Sequence, residues 1–270
     1  MIKLGYDSFS NFKKDSIFMN DYKSIFDKRA FQYIYASEKY PKIREQEFKS
    51  IIKQARINKQ ARTNKGKNVL DLACGNATIL NYLKDDIKYY GIDPCANFLK
   101  KIRQSNILVG SLRNLPFKNN YFDHIVCLTG LHHEISREEI YRECYRVLRD
   151  QGRLTIHDIK VDSNISIFLD TFVNFYNPLG HIGNYLGNAD VSKLQKIGFI
   201  TKTSVVKYEW IAKDKNQMFD FMKNLFGLEG LSLEIFANKI TKYLDISVDA
   251  HSYRLHWSLL SIEAIKNDTN

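Results

Sequence analysis

At residues 69–80 the sequence reads VLDLACGNATIL: an apolar segment runs into five small or polar residues, Ala73, Cys74, Gly75, Asn76 and Ala77. A helix-compatible run, 78–83, follows at once. Small side chains at a strand-to-helix turn let a ligand approach the backbone, and the start of a helix offers unpaired N–H groups and a partial positive charge. The turn is therefore a candidate cofactor cradle. Alanine stands at two of the positions where the usual GxGxG form has glycine. A purely structural turn is the alternative for this element taken alone.

Outward from the turn, YYGID at residues 89–93 forms a second apolar segment and ends in Asp93, 22 residues after Asp71, with Pro94 next. A nucleotide-binding fold places an acid near this spacing, where its carboxylate accepts from both ribose hydroxyls. Further short apolar runs predict strands at 68–72, 88–92, 107–109, 122–128 and 153–157, alternating with amphipathic segments. That alternation implies a parallel sheet with crossover helices. A helix at 191–197 stops at Gly198, and two long strands, 199–210 and 252–265, close the sheet as an antiparallel pair. Between them lie helices at 216–225 and 231–244.

The expected fold is α/β, a doubly wound Rossmann-like sheet of seven strands, mostly parallel with an antiparallel last strand. Residues 1–60 are expected to form a helical cap and 61–270 the core, with a lid near 160–190 and a helical insert near 212–247. Breaks in the cap are expected at 8–11 and at Pro41.

The chain has 270 residues, 44% hydrophobic and 26% charged, which excludes disordered and fibrous classes. Cys74, Cys95, Cys127 and Cys144 lie singly, so they read as reduced thiols without zinc-ligand spacing, and no metal is expected. No apolar run reaches the length of a membrane span and no secretory leader is evident, so a cytoplasmic location is expected. The net charge of +10 is compatible with RNA, an anionic surface or an acidic small molecule. The lysine-rich stretch 39–67 also holds Ile43, Phe48, Ile51, Ile52 and Ala55 at helical spacing, which favours a solvated basic helix face over a nucleic-acid site.

Four stretches together, VLDLACGNATIL, YYGIDPCANFL, VGSLRNLPFKNNYFDHIVCLTGLHHE and IYRECYRVLRDQGRLTIHDI, resemble in order and spacing the class I S-adenosylmethionine (SAM)-dependent methyltransferases. Within them the likeness is to the small-molecule branch that includes ubiquinone and menaquinone methyltransferases. It covers residues 67–199. The resemblance implies SAM as cofactor, with Asp71, Ala73, Cys74, Gly75 and Asn76 facing its methionine part. Asp93, followed by Pro94, would hold the ribose, Ser111 and Leu112 would flank the adenine, and Leu128 and Thr129 would border the site. The family often has an acid where this chain has Ser111.

Methyl transfer aligns a nucleophile with the S–CH3 axis and, where needed, removes its proton. His132 and His133 follow the fourth strand, His157 ends the fifth, and His181 lies in the lid-like stretch 177–183. These four are the candidate bases. Cap aromatics Tyr6, Phe9, Tyr22, Phe31, Tyr33, Tyr35 and Tyr40 would exclude water from the cationic centre. The apolar residues from Phe219 to Phe236 would form a substrate wall, a homodimer contact or simply core. The expected activity is methyl transfer to an O, N or C nucleophile of a small-molecule substrate. RNA methylation and SAM binding without transfer are the alternatives, the former lacking an NPPY-like motif.

Overall fold

The computed structural model describes residues 22–57 and 66–267. Tyr6 and Phe9, the expected break at 8–11 and the remainder of the cap up to 21 lie outside the described residues, as do 58–65.

The described chain opens with α1 (Tyr22–Lys39), a turn at Pro41, and α2 (Glu45–Gln54). Proline lacks the N–H that a continuing helix needs, so the break falls where the sequence places it. α1 buries Phe26, Ala30 and Ile34, four residues apart and hence on one face, while Phe31 and Tyr35 point outward. α2 buries Phe48, Ile51 and Ile52 and leaves Lys49 and Lys53 exposed, the solvated basic face expected.

The core follows as β1 (Asn68–Leu72), β2 (Lys88–Asp93), α3 (Ala96–Leu99), β3 (Ile107–Val109), β4 (Phe122–Leu128), α4 (Glu138–Val147) and β5 (Leu148–Asp158). Next come α5 (Asn164–Phe168), a π-helical turn (Leu169–Val173), α6 (Asn174–Tyr176) and α7 (Asn188–Ile197). β6 (Phe199–Ala212), α8 (Lys215–Phe226), α9 (Leu233–Ile240), β7 (Ile246–Val248) and β8 (Tyr253–Lys266) complete it. Gly198 ends α7 at φ +117°, a left-handed conformation that glycine adopts without a Cβ penalty.

The sheet order is β3-β2-β1-β4-β5-β8-β6. β1 to β5 pair in parallel, and β8 runs antiparallel to both β5 and β6. The seven expected strands are present, and the three-residue β7 adds an eighth by pairing with β8. Strand order reverses between β1 and β4, and open α/β sheets bind ligands beyond the carboxyl ends of strands at such a reversal. β1 is buried along its whole length because both sheet faces are covered. Val69 packs into the cluster under α2, α8 and α9, whereas Leu70 and Leu72 face the opposite cluster with α4 and α7.

One local expectation changes. The run after the cofactor turn forms a single 3-10 turn (Thr78–Tyr82), not a regular helix. Ala77 is left-handed, so no helical residue precedes Thr78, and the chain is extended again at Leu83 on its way to β2. A turn this short has little dipole, so attraction for an anion there is weaker than a full helix would supply.

Candidate active site

The turn after β1 owes its shape to backbone conformation. Ala73, Gly75 and Ala77, the three positions of the GxGxG form, all lie in the left-handed region, at φ +58°, +53° and +56°. The alanines thus occupy glycine conformations at a cost of about 1–2 kcal/mol each. Cys74 N–H donates to Ile92 O at 3.1 Å, Gly75 N–H to Asp93 Oδ2 at 2.8 Å, and Ala77 N–H to Cys74 O at 2.9 Å. A Cβ on Gly130 would fall 2.5 Å from the Ala73 methyl, so the loop after β4 must carry glycine to pass the turn.

Across the β1/β4 reversal a cavity opens, walled on the sheet side by Asp71, the turn from Ala73 to Asn76, Leu128 and Thr129. Thr129 is itself left-handed, at φ +53°, an unusual state for a β-branched residue and a sign of strain held by its surroundings. Its N–H donates to His157 O at 2.8 Å. Asp71 is buried and accepts from Tyr89 Oη at 2.8 Å. Burial pushes its carboxyl up to about 7 against the pull of that hydroxyl, and the neighbouring Asp93 carboxylate adds to the rise. A cationic ligand beside Asp71 would relieve this cost, so the residues present fit the sulfonium and ammonium of SAM. Burial first, and then Asp71 and Asp93, push the Cys74 thiol well up, so it stays protonated and is no nucleophile.

His132, His133 and His181 meet on the opposite wall of the same cavity. Ring centroids lie 4.1 Å apart for His132 and His133, 5.7 Å for His132 and His181, and 5.2 Å for His133 and His181. Asp158, fully buried at the end of β5, receives the N–H groups of Leu131 and His132 on one oxygen and lies 2.7 Å from His132 Nδ1 with the other. An acceptor-only carboxylate places the proton on Nδ1 and turns Nε2 away from it. Burial lowers His133 well below the usual imidazole range, helped by His132, His181 and Arg29. Burial likewise lowers His181, with Asp170 opposing.

Side chains from α1, from α2 and the turn before it, and from β6, α8 and β8 close the cavity, Leu225 and Phe226 coming from the stretch expected to form a substrate wall. Arg44, immediately before α2, donates to Glu47 through Nε at 2.8 Å and Nη2 at 2.9 Å, and to Tyr33 Oη at 2.7 Å; its Nη2 lies 3.4 Å from Thr129 Oγ1. Glu47 also accepts from Trp210 Nε1 at 3.0 Å. Trp210 stacks on Trp257 with centroids 4.3 Å apart. Phe26, Phe48, Phe98, Leu225 and Phe226 supply apolar wall. Of the expected cap aromatics, Tyr33 lines the cavity, Tyr40 instead bonds Asp220, and Phe31 and Tyr35 are exposed. No charge pattern or spacing in the sequence marks Arg44 and Glu47 as a buried pair.

Several expected residues sit beside the cavity and do not line it. Asp93 is fully buried, holding Gly75 N–H with Oδ2 and Cys95 N–H with Oδ1, so it shapes the turn. Pro94 is partly buried, Ser111 is exposed with Oγ accepting from Arg113 N–H at 3.1 Å, and Leu112 is core. His157 departs furthest from the expected role. Strand alternation turns it opposite to Asp158, and its Nε2 lies 3.2 Å from Gln54 Oε1 under α2, away from the cavity.

Residues 70–156 match the family model described as a methyltransferase domain. A demethylmenaquinone methyltransferase of Thermotoga maritima is 32% identical over 117 residues, 41% of this chain and 51% of that protein. One of Listeria monocytogenes is 32% identical over 113 residues, 37% of this chain and 48% of that protein. The chain thus spans about half the length of the curated relatives it matches. Among solved structures, a SAM-dependent methyltransferase of Thermotoga maritima, a possible histamine N-methyltransferase, superposes with a TM-score of 0.57 at 15% identity over 90% of this chain and 99% of that one. A Haemonchus contortus phosphoethanolamine N-methyltransferase, solved with phosphomonomethylethanolamine and S-adenosylhomocysteine, gives 0.56 at 13% identity over 91% and 60%. At these identities the likeness shows the fold.

Proposed function

We propose, from a methyltransferase-domain match over residues 70–156, relatives named demethylmenaquinone methyltransferase and the fold shared with solved methyltransferases, that this protein is a class I SAM-dependent methyltransferase that methylates an O, N or C nucleophile of a small molecule. The observation that carries the reading is that one cavity brings the β1 turn, Asp71 and Thr129 to face three buried or half-buried histidines beneath an aromatic roof. SAM, when bound, supplies a methyl group on a sulfonium centre. Asp71 and the turn from Ala73 to Asn76 would hold its methionine part, with Asp93 supporting the turn from behind. Phe26, Tyr33 and Trp210 would exclude water, which strengthens electrostatic interactions inside the cavity. His132, oriented by Asp158, borders this space with His133 and His181; with no metal on its Nε2, that nitrogen would accept a substrate proton.

Calorimetric titration of the full chain with SAM tests the cofactor site. Binding at sub-millimolar concentration is expected, and its absence would overturn the reading. Transfer of labelled methyl from SAM into a cell extract, resolved into small-molecule and RNA fractions, tests the acceptor. Label in small molecules supports the proposal, and label confined to RNA replaces it with the RNA alternative. Among the described residues no helix is long and apolar enough to cross a membrane.

A further inference from the structure

We propose that His132, His133 and His181 form a three-imidazole binding site for a zinc-class divalent transition-metal ion, with its fourth coordination position open to the cavity. One ligand nitrogen from each of the three lies within 4.8 Å of the others. Tetrahedral zinc with Zn–N bonds of about 2.0–2.1 Å needs nitrogens about 3.4 Å apart, a closure within reach of side-chain rotation. Three histidines plus one open position is a ligand count found in catalytic zinc sites, and imidazole suits zinc, copper, iron and nickel.

What surrounds the rings fits a cation. Metal-binding histidines commonly give their second nitrogen to a carboxylate, which fixes the ring and raises its basicity. Asp158 does this for His132 at 2.7 Å, leaving Nε2 as the ligand atom. Asp170 Oδ1 stands 3.8 Å from His181 Nδ1, a nitrogen that is buried with no hydrogen-bond partner. A small ring movement onto Asp170 would satisfy that nitrogen and leave the other as the ligand atom. The two carboxylates together balance a divalent charge. Arg29, a cation whose charge is felt at His133 and His181, donates through Nη2 to Leu225 O at the C-terminal end of α8 at 2.8 Å, which offsets part of that charge. The ligands come from two loops, the one after β4 and the lid that follows α6, so a bound ion would also pin the lid to the sheet.

The open position faces the space assigned to the methyl acceptor. An acceptor hydroxyl or thiol placed there would lose its proton more readily, as metal-bound water does. This role rests on the methyl-transfer reading; the site itself does not.

The full chain, purified without a histidine tag, is loaded with Zn2+, desalted and assayed for metal, and Co2+ is used as the optical probe. One retained zinc per chain and the strong visible absorption of four-coordinate cobalt are expected. Replacing Asp158 by Asn should weaken Zn2+ binding by about 10–100-fold. His132→Gln combined with His181→Gln should abolish it, with circular dichroism confirming the fold. If wild type retains no zinc, or the double variant retains as much as wild type, the site is refuted. Should the double variant not fold, the cobalt spectrum of wild type decides, octahedral or absent absorption refuting the site. SAM titration of the same samples separates the two proposals: zinc without SAM binding removes only the methyl-transfer reading, and SAM binding without zinc removes only the metal site.

Discussion

Asp71 carries the sharpest electrostatic consequence in the site. Its carboxyl is raised to about 7 by burial, so near neutral pH it is part protonated in the free protein. A cationic cofactor binds better to the ionised form, so binding releases protons and affinity rises with pH. Between pH 6 and 8 the gain attributable to Asp71 is about tenfold. Calorimetry across that range should show the slope in wild type and a flatter one in Asp71→Asn, whose affinity is lower throughout. Equal slopes would remove Asp71 from the cofactor contact. Beside it, Ala73 and Ala77 show how little of a motif is side-chain identity. The turn needs three left-handed residues, and two alanines adopt that state because neighbouring hydrogen bonds hold them there.

At the scale of elements, α2 is fastened to the sheet by a polar pin through an apolar interface. Arg44 and Glu47 are both buried, and Trp210 of β6 donates to the same carboxylate. Removing one partner strands the other charge away from water, which costs about 3–5 kcal/mol, whereas replacing both by apolar groups is often close to neutral. Arg44→Met should therefore destabilise the protein strongly in urea unfolding, and Arg44→Met with Glu47→Leu should recover most of the loss. If the double variant were as unstable as the single one, the pair would be contributing net stability and not only specifying how the cap docks. Because Arg44 also reaches Tyr33 and Thr129, the single variant should loosen the roof of the cavity as well.

For the whole molecule, buried histidines set the response to acid. His157 has no exposed surface, and burial pushes its imidazole down to about 3. The folded protein keeps this ring neutral, while the unfolded chain takes up a proton below its ordinary value near 6.5. Stability is therefore full above that value and falls as pH drops toward about 3. The loss is about 2 kcal/mol by pH 5. His124, lowered to about 4 mainly by burial, acts in the same direction. Unfolding curves at pH 7 and 5 should show wild type losing more stability than His157→Gln, and an equal loss in both would contradict the assignment.

The sequence alone determined what is local and periodic. The short apolar runs of β1, β4 and β5, alternating with amphipathic segments, mark the parallel core. Pro41 and Gly198 stop helices because of their own backbone limits, and the spacing from Asp71 to Asp93 sets the carboxyl ends of β1 and β2 side by side. Tertiary structure decided which side chains face one space. Phe26 faces the cavity and Phe31 faces solvent on one helix, a difference that depends on where α1 docks. His157 carries the same chemistry as His132, yet the alternation at the end of β5 gives the site to Asp158 and turns His157 beneath α2. His181 joins His132 and His133 only because the segment after α6 folds back over the loop after β4. Such meetings join residues far apart in the chain, and no short-range pattern encodes them. They follow from the packing of separate elements around one core.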